Sequence, residues 1–206
     1  MKSLLKSVSF SADSSGRTDT FEFFSNPPVI KTENLLLRPV RMKDASDIYR
    51  YASDPEVSRF VLWEPHRSIS DTRAYIRYVR RLYRRGMPSS WAVVLLSSSS
   101  IIGSIGLMSY SPFHHSAEIG YSFSRNYWNH GYATEAAGAV IQSAFRSLHD
   151  LNRIEAQHDI RNPASGRVME KCGMKKEGIL RSRLYNKKEF VDVVLYAILR
   201  SDLADL

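Results

Sequence analysis

The run Asn126-Tyr127-Trp128-Asn129-His130-Gly131-Tyr132-Ala133-Thr134-Glu135-Ala136 joins an alternating apolar segment to an amphipathic helix, and Gly131 and Ala133 fall where that helix would begin. The first turn of a helix carries backbone N–H groups without intrahelical partners, and the aligned peptide dipoles put partial positive charge there. Small residues at that point let an anion such as a pyrophosphate approach the backbone closely. The junction is therefore the expected anchor of a phosphorylated cofactor.

Other chemistries leave no comparable signature. The chain has no Gly-x-x-x-x-Gly-Lys-Ser/Thr loop, no Gly-x-Gly-x-x-Gly run and no Gly-x-Ser-x-Gly elbow. Its six histidines and one cysteine, Cys172, show no metal-ligand spacing, so no metal is expected. Cys172 stands one residue before a glycine that ends a helix and reads as packing rather than as a nucleophile. A single cysteine excludes an intramolecular disulfide and fits a reducing cytoplasm. No apolar run approaches the ~20 residues a membrane helix needs, and no membrane partner is expected.

The elements that must position the Gly131 junction follow from periodicity. The 206 residues are 43% hydrophobic and 24% charged, which suits one globular domain with a full core. Residues 1–30 read as an extension, loosely ordered or packed as an edge strand through Phe21 to Phe24, and 31–206 as the single domain. Met1 to Ser15 is broken by Ser and Lys and does not read as a signal peptide. A short strand at Leu35 to Leu37 precedes helices at Lys43 to Ala52 and Asp71 to Arg85. Strands then follow at Trp91 to Leu96, Ile101 to Met108 and Ala117 to Phe123. In the last of these Glu118, Gly120 and Ser122 share one face, opposite Ile119, Tyr121 and Phe123. After the Gly131 helix come a strand at Arg153 to Asp159 and a helix with Asn162 as N-cap and Pro163 at its first position. A hairpin over Met174 to Tyr185 and Glu189 to Leu199 closes the order. A mixed, twisted sheet of about seven strands with helices on both sides is the expected α/β (α+β) architecture.

The net charge is +8, which favours anionic partners in general. Arg73, Arg77, Arg80, Arg81, Arg84 and Arg85 supply much of it from one helix, which reads first as a solvated face. Exposed aromatic residues interleaved with those arginines would favour an RNA partner instead; Tyr75 and Tyr83 read as core or rim.

Taken in order and spacing, these residues resemble the GNAT (Gcn5-related) N-acetyltransferases, and most closely the RimJ/RimL-type branch that acetylates protein N-termini. The resemblance runs from about Thr32 to Asp202. It is carried by Asn34 to Arg38, Asp44-Ala45, Ala117 to Tyr121, Tyr127 to Ala136, Asn152-Arg153-Ile154, Asn162 to Ser165, Arg167-Val168, Glu170 to Met174 and Glu177-Gly178. It implies the GNAT acyl-CoA fold, with acetyl-CoA as co-substrate.

The acyl-CoA motif of the family, Gln/Arg-x-x-Gly-x-Gly/Ala, falls on Trp128-Asn129-His130-Gly131-Tyr132-Ala133, with Trp128 in place of the usual Gln or Arg. The resemblance implies pyrophosphate contacts from His130 through Thr134. It also implies pairing of pantetheine with the backbone of Ile119, Tyr121, Ser122 and Phe123, and a contact to the same arm from Asn162. Glu118 becomes the candidate base and backbone N–H groups near Tyr121 the oxyanion donors. Ser165 becomes a candidate acid for the departing thiolate. Two departures bear on the acid and the base. Met169 stands where many relatives place a tyrosine acid, and Ile179 to Asn186 holds no carboxylate; Tyr185 is a substitute acid. Trp63 would wall the acceptor cleft and Glu64 would hold an ammonium.

The expected activity is acetyl transfer to a primary amine, foremost a peptide or protein N-terminal amine. Two alternatives remain beside it. One is a small-molecule amine such as a polyamine or antibiotic; the other is a non-catalytic CoA-sensing or RNA-associated binding module. The leading reading expects no nucleic-acid partner, and a monomer or homodimer.

Overall fold

The computed structural model describes residues 20–205; the expectations for residues 1–19 lie outside them. One sheet of eight strands organises the chain. Its strands are β1 (Ile30–Lys31), β2 (Leu35–Pro39), β3 (Ser90–Leu95), β4 (Ile101–Ser111), β5 (Ser116–Phe123), β6 (Arg153–Asp159), β7 (Lys175–Asn186) and β8 (Glu189–Leu199), in the order β1-β2-β3-β4-β5-β6-β8-β7. The expected seven are all present, and the two-residue β1 is the eighth. Helices are α1 (Thr20–Ser25), α2 (Ala45–Ala52), α3 (Pro55–Ser58), α4 (Ile69–Arg84), α5 (Tyr132–Ser147) and α6 (Pro163–Lys171).

The aromatic patch Phe21 to Phe24 is neither loose nor a strand. It forms α1, which buries Phe23 and Phe24. Phe23 packs edge-on to Trp91, whose indole N–H donates to the Pro28 carbonyl at 2.8 Å.

Strand alternation divides the interior into two cores. One face carries Trp91, Val93, Ile105, Ile119, Phe123, Ile154 and Ala156 against the apolar stripe of α5, with Met169 of α6. The other face carries Ala92, Val94 and Ile101 under Ile48 and Tyr51 of α2 and Ile76, Val79 and Tyr83 of α4. Each such aliphatic side chain, once buried, stabilises the fold by about 1.5–3 kcal/mol. Helices therefore lie on both sides of the sheet, as its sequence pattern requires.

The pairing of β5 decides where a site can form. Its antiparallel register with β4 runs from Ser116 to Phe123, with a bulge at Met108 between Leu107 and Ser109. Its parallel register with β6 covers only Ser116, Ala117 and Glu118, opposite Arg153, Ile154 and Glu155. Beyond Glu118 the two strands part. The edge of β5 from Ile119 to Phe123 thus has no strand on its β6 side. The helices that follow β5 and β6, α5 and α6, begin at this same open end.

Candidate active site

Gly131 is the N-cap of α5, with φ +86° and ψ −10°, a left-handed conformation suited to glycine. Apart from its own chain neighbours, no atom lies within 4 Å of where a Cβ would stand, so the space before the helix is open. The first helical hydrogen bond is Glu135 N–H to the Gly131 carbonyl at 3.0 Å. The amides of Tyr132, Ala133 and Thr134 precede it and lack intrahelical partners. Glu135, an acid in this first turn, is turned away from the opening. It accepts from Thr32 Oγ1 at 2.6 Å and from the Asn34 amide at 2.8 Å, tying α5 to the β1–β2 turn. This leaves the dipole at the helix start available to an anion.

The side chains around Gly131 are mostly engaged in shaping the loop. Trp128, in the position of the usual Gln or Arg, spends its indole N–H on the Phe123 carbonyl at 2.8 Å. It fastens the loop to the end of β5 rather than offering a donor to phosphate. His130 meets the Trp128 carbonyl through Nδ1 at 2.7 Å, and its ring stacks on Tyr132 at 5.8 Å. Asn129 is exposed with φ +63°. The groups left open toward the helix start are therefore backbone amides rather than the Trp128 donor.

On β5, Tyr121 and Glu118 point to opposite faces of the sheet. Tyr121 faces α6, where its hydroxyl donates to the Ser165 carbonyl at 3.1 Å and lies 2.9 Å from Ser165 Oγ. Burial pushes the Tyr121 phenol well above its ordinary range, so it stays protonated. Glu118 faces the other way and accepts from Gln157 Nε2 of β6 at 2.9 Å, across the mouth of the opening. Gln157 was not among the residues singled out from sequence. The alternation Arg153, Glu155, Gln157, Asp159 along β6 was the available signal.

Gly120 and Ser122 share the Glu118 face, next to Gly106 and Ser104 of β4 by register. Tyr51 and Tyr75, from α2 and α4, bring their hydroxyls toward Ser104 above this floor of small residues, and burial pushes both phenols up. Two groups of residues overhang the far end. The β7–β8 tip reaches α3 through Lys187 Nζ, which donates to the Ser58 carbonyl. Arg161, just after β6, lies over the Phe60 ring at 6.0 Å and pairs with both Asp159 and Glu189.

The remaining predicted residues fare differently. Asn162 is the N-cap of α6 by position, but its side chain makes no capping hydrogen bond. Its backbone N–H donates to the Asp159 carbonyl at 2.7 Å, and its side-chain amide is left without a capping bond. Met169 is buried in the first core. Trp63 packs at the rim of the second core, 5.8 Å from His66, and Glu64 beside it is exposed. Tyr185 sits near the hairpin tip, 63% exposed and edge-on to Phe190 at 5.0 Å. Its contacts include neither Glu118 nor Ser165. Among the described residues no group of His, Cys, Asp or Glu is arranged to hold a metal ion. No described helix is long and apolar enough to cross a membrane.

The arrangement offers a positive helix start, a bare strand edge leading away from it, and a hydroxyl and a carboxylate on either side of the gap where that edge begins. It suits an extended ligand with an anionic middle and a reactive end. Comparisons with known proteins agree. A family model described as an acetyltransferase (GNAT) domain matches residues 34–175. An uncharacterized N-acetyltransferase, p20, from Bacillus licheniformis is 32% identical over 173 residues, spanning 84% of this chain and 97% of the relative. The ribosomal protein uS5-alanine N-acetyltransferase of Escherichia coli is 26% identical over 192 residues, 88% of this chain and 97% of its own length. The crystal structure of a GNAT-family acetyltransferase from Bacillus anthracis superposes with a TM-score of 0.75 at 32% identity, covering 84% of this chain and 99% of that one.

Proposed function

The chain belongs to the GNAT acetyltransferase family, an acetyl-CoA-dependent N-acetyltransferase, and from that premise we propose how its residues divide the work and which amine they serve. The pyrophosphate of acetyl-CoA takes the amides of Tyr132, Ala133 and Thr134, with His130 and Asn129 shaping the approach. The pantetheine arm runs as a surrogate strand along Ile119 to Phe123, with the side-chain amide of Asn162 on its other side. The thioester then lies in the gap between β5 and β6.

The amine enters from the Glu118 face. Glu118 removes its proton, directly or through water, and the nitrogen lone pair attacks the thioester carbonyl. Backbone N–H groups near Tyr121 hold the oxyanion. When the C–S bond breaks, the Ser165 hydroxyl passes a proton to the departing sulfur, and the second proton released by the attacking nitrogen replaces it through water, so that the amide and the free thiol leave with Ser165 restored. Tyr121, bonded to both oxygens of Ser165, fixes that hydroxyl. Base and acid thus act from opposite faces of one sheet on one gap. Tyr185 is a weaker candidate acid, since its ring is engaged with Phe190.

The single observation that carries this reading is the parting of β5 from β6 after Glu118, beside the Gly131 helix start. Isothermal titration with acetyl-CoA tests it. Gly131→Val forces a branched side chain into a left-handed conformation within the phosphate approach, and affinity should fall at least about tenfold. Undiminished binding would sink the assignment.

We further propose a protein or peptide α-amine as acceptor, with Trp63 and Glu64 on the approach. The support is the relative named for acetylating an alanine of a ribosomal protein. A thiol-release assay over N-terminal peptides, polyamines and aminoglycosides decides it, and turnover confined to the small amines would refute it. The buried single thiol suits a reducing cytoplasm as its setting.

A further inference from the structure

The exposed face of α4 takes no part in the chemistry above. Arg73, Arg77, Arg80 and Arg84 recur on it at i, i+4, i+7 and i+11 and form one stripe, with Arg81 and Arg85 alongside. At 1.5 Å per residue the stripe spans about 16 Å, with one guanidinium per helical turn. All six arginines are exposed. Among the described residues none of them is in an ion pair. The one acid of α4, Asp71, is consumed by the helix cap, accepting from the amides of Arg67 and Ser68. Residues 1–19 contain three basic and two acidic side chains, so they offer no net negative charge to cover the stripe.

Tyr83 is buried and Tyr75 partly so, as their positions suggested. Tyr78 is not: it is 50% exposed, and the Arg81 guanidinium lies 5.5 Å from its ring centroid. It flanks the stripe as a stacking platform already paired with a cation. A protein-binding face centres on an apolar cluster, and on α4 Tyr78 is the one exposed large hydrophobic residue among those described.

We propose that this face of α4 docks single-stranded RNA, the arginine stripe holding consecutive phosphates and Tyr78 stacking on an unpaired base. The surface is separate from the acetyl-CoA site and needs none of its residues.

Fluorescence anisotropy with a labelled, unstructured RNA of about 15 nucleotides tests this. The logarithm of affinity should fall linearly with that of salt concentration. Arg77→Ala/Arg80→Ala/Arg84→Ala should lower the magnitude of that slope by about 2, since each phosphate contact to a single strand contributes about 0.7. Lysine at the same three positions should restore most of the slope. Tyr78→Ala should weaken binding about five- to a hundred-fold, and Tyr78→Phe should retain it. Gly131→Val should bind RNA as the parent does. An unchanged slope in the triple alanine variant overturns the proposal. So does equal affinity for a glutamate-rich peptide of matched charge, which would mark an acidic-protein site. Loss of RNA binding in Gly131→Val also overturns it, because the RNA would then be occupying the pyrophosphate site.

Discussion

Ser165 and Glu118 come from different elements and lie on opposite faces of the sheet, yet each is oriented by one neighbour. Ser165 is held by the Tyr121 hydroxyl and Glu118 by the Gln157 amide. Removing a proton-transfer group should act on turnover rather than on donor binding. Glu118→Gln should lower kcat by about 10²–10⁴ with acetyl-CoA affinity unchanged; near-parental kcat would remove it as base. Ser165→Ala should lower kcat at least about tenfold, and Tyr121→Phe by less, because the serine remains but loses its orientation. Equal, full activity in both would leave the thiolate without a protein acid. The single thiol is a contrasting case. Cys172 is buried, donates to the Thr134 carbonyl at 3.5 Å, and is pushed up to about 12 by burial. Ellman's reagent at pH 8 should therefore react slowly with native protein and promptly in denaturant; fast native reaction would contradict the burial. The place of Gly131 at a helix start was legible in the sequence because it is local, a small residue before a periodic helix. Family resemblance pointed to Ser165 and Glu118, and the structure puts both beside the gap. Gln157 and Glu135 were not, because their partners stand 39 and 101 residues away, and single-chain periodicity carries no record of such pairings.

Between elements, the central event is that β5 keeps β4 as partner along its whole length and gives up β6 after Glu118. An open edge in mid-sheet leaves backbone groups without ladder bonds. A ligand that supplies them should change their exchange. Some amides within Ile119 to Phe123 should exchange faster than those of β3 in the free protein and slow markedly with acetyl-CoA; equal protection in both states would mean that the edge is not where pantetheine lies. The neighbouring β3–β4 pair is close-fitted at Gly106, where a Cβ would stand 2.2 Å from the Ser89 carbonyl oxygen, a backbone atom. Gly106→Ala should cost about 1–3 kcal/mol in urea unfolding, whereas a loss under 0.5 kcal/mol, on the order of a surface change, would show that the strand pair yields easily. Strands with a strict alternation were read to within a residue or two: β6 runs from Arg153 to Asp159 and β8 from Glu189 to Leu199, as expected. The misses are short. Six residues of α1 and two of β1 are too few to express a period, and tertiary contacts of Phe23, Phe24 and Ile30 with the first core decide their form.

Across the whole molecule, a net charge of +8 and a few strongly placed ionisable groups make stability depend on pH in two steps. The first comes from His66. Burial lowers its pKa, only partly offset by Asp71, and its Nδ1 lies 2.8 Å from Thr72 Oγ1. Protonation is thus harder in the folded state than in the unfolded one, where histidine titrates near ~6.5. As pH falls below that value the unfolded chain gains a proton that the folded chain resists, and stability drops until the folded value is passed. The second step comes from carboxylates. Burial alone would raise Asp159, but the Arg161 guanidinium and amide donate to it and hold it below its usual range. Arg153 holds Glu177 down in the same way. Their contributions are complete above the unfolded carboxylate values of about 4 and are lost as pH falls through the lower folded values. Both groups stitch the β6–β8–β7 side of the sheet, so that side should loosen first in acid. Melting midpoints should decline modestly from pH 7 to 5 and steeply below about pH 4. His66→Gln should flatten the upper decline and Asp159→Asn the lower one, each lowering the neutral-pH midpoint by no more than its lost hydrogen bonds require. A midpoint that stays level from pH 7 to 3 in the parent protein would show that these pairs do not govern its stability.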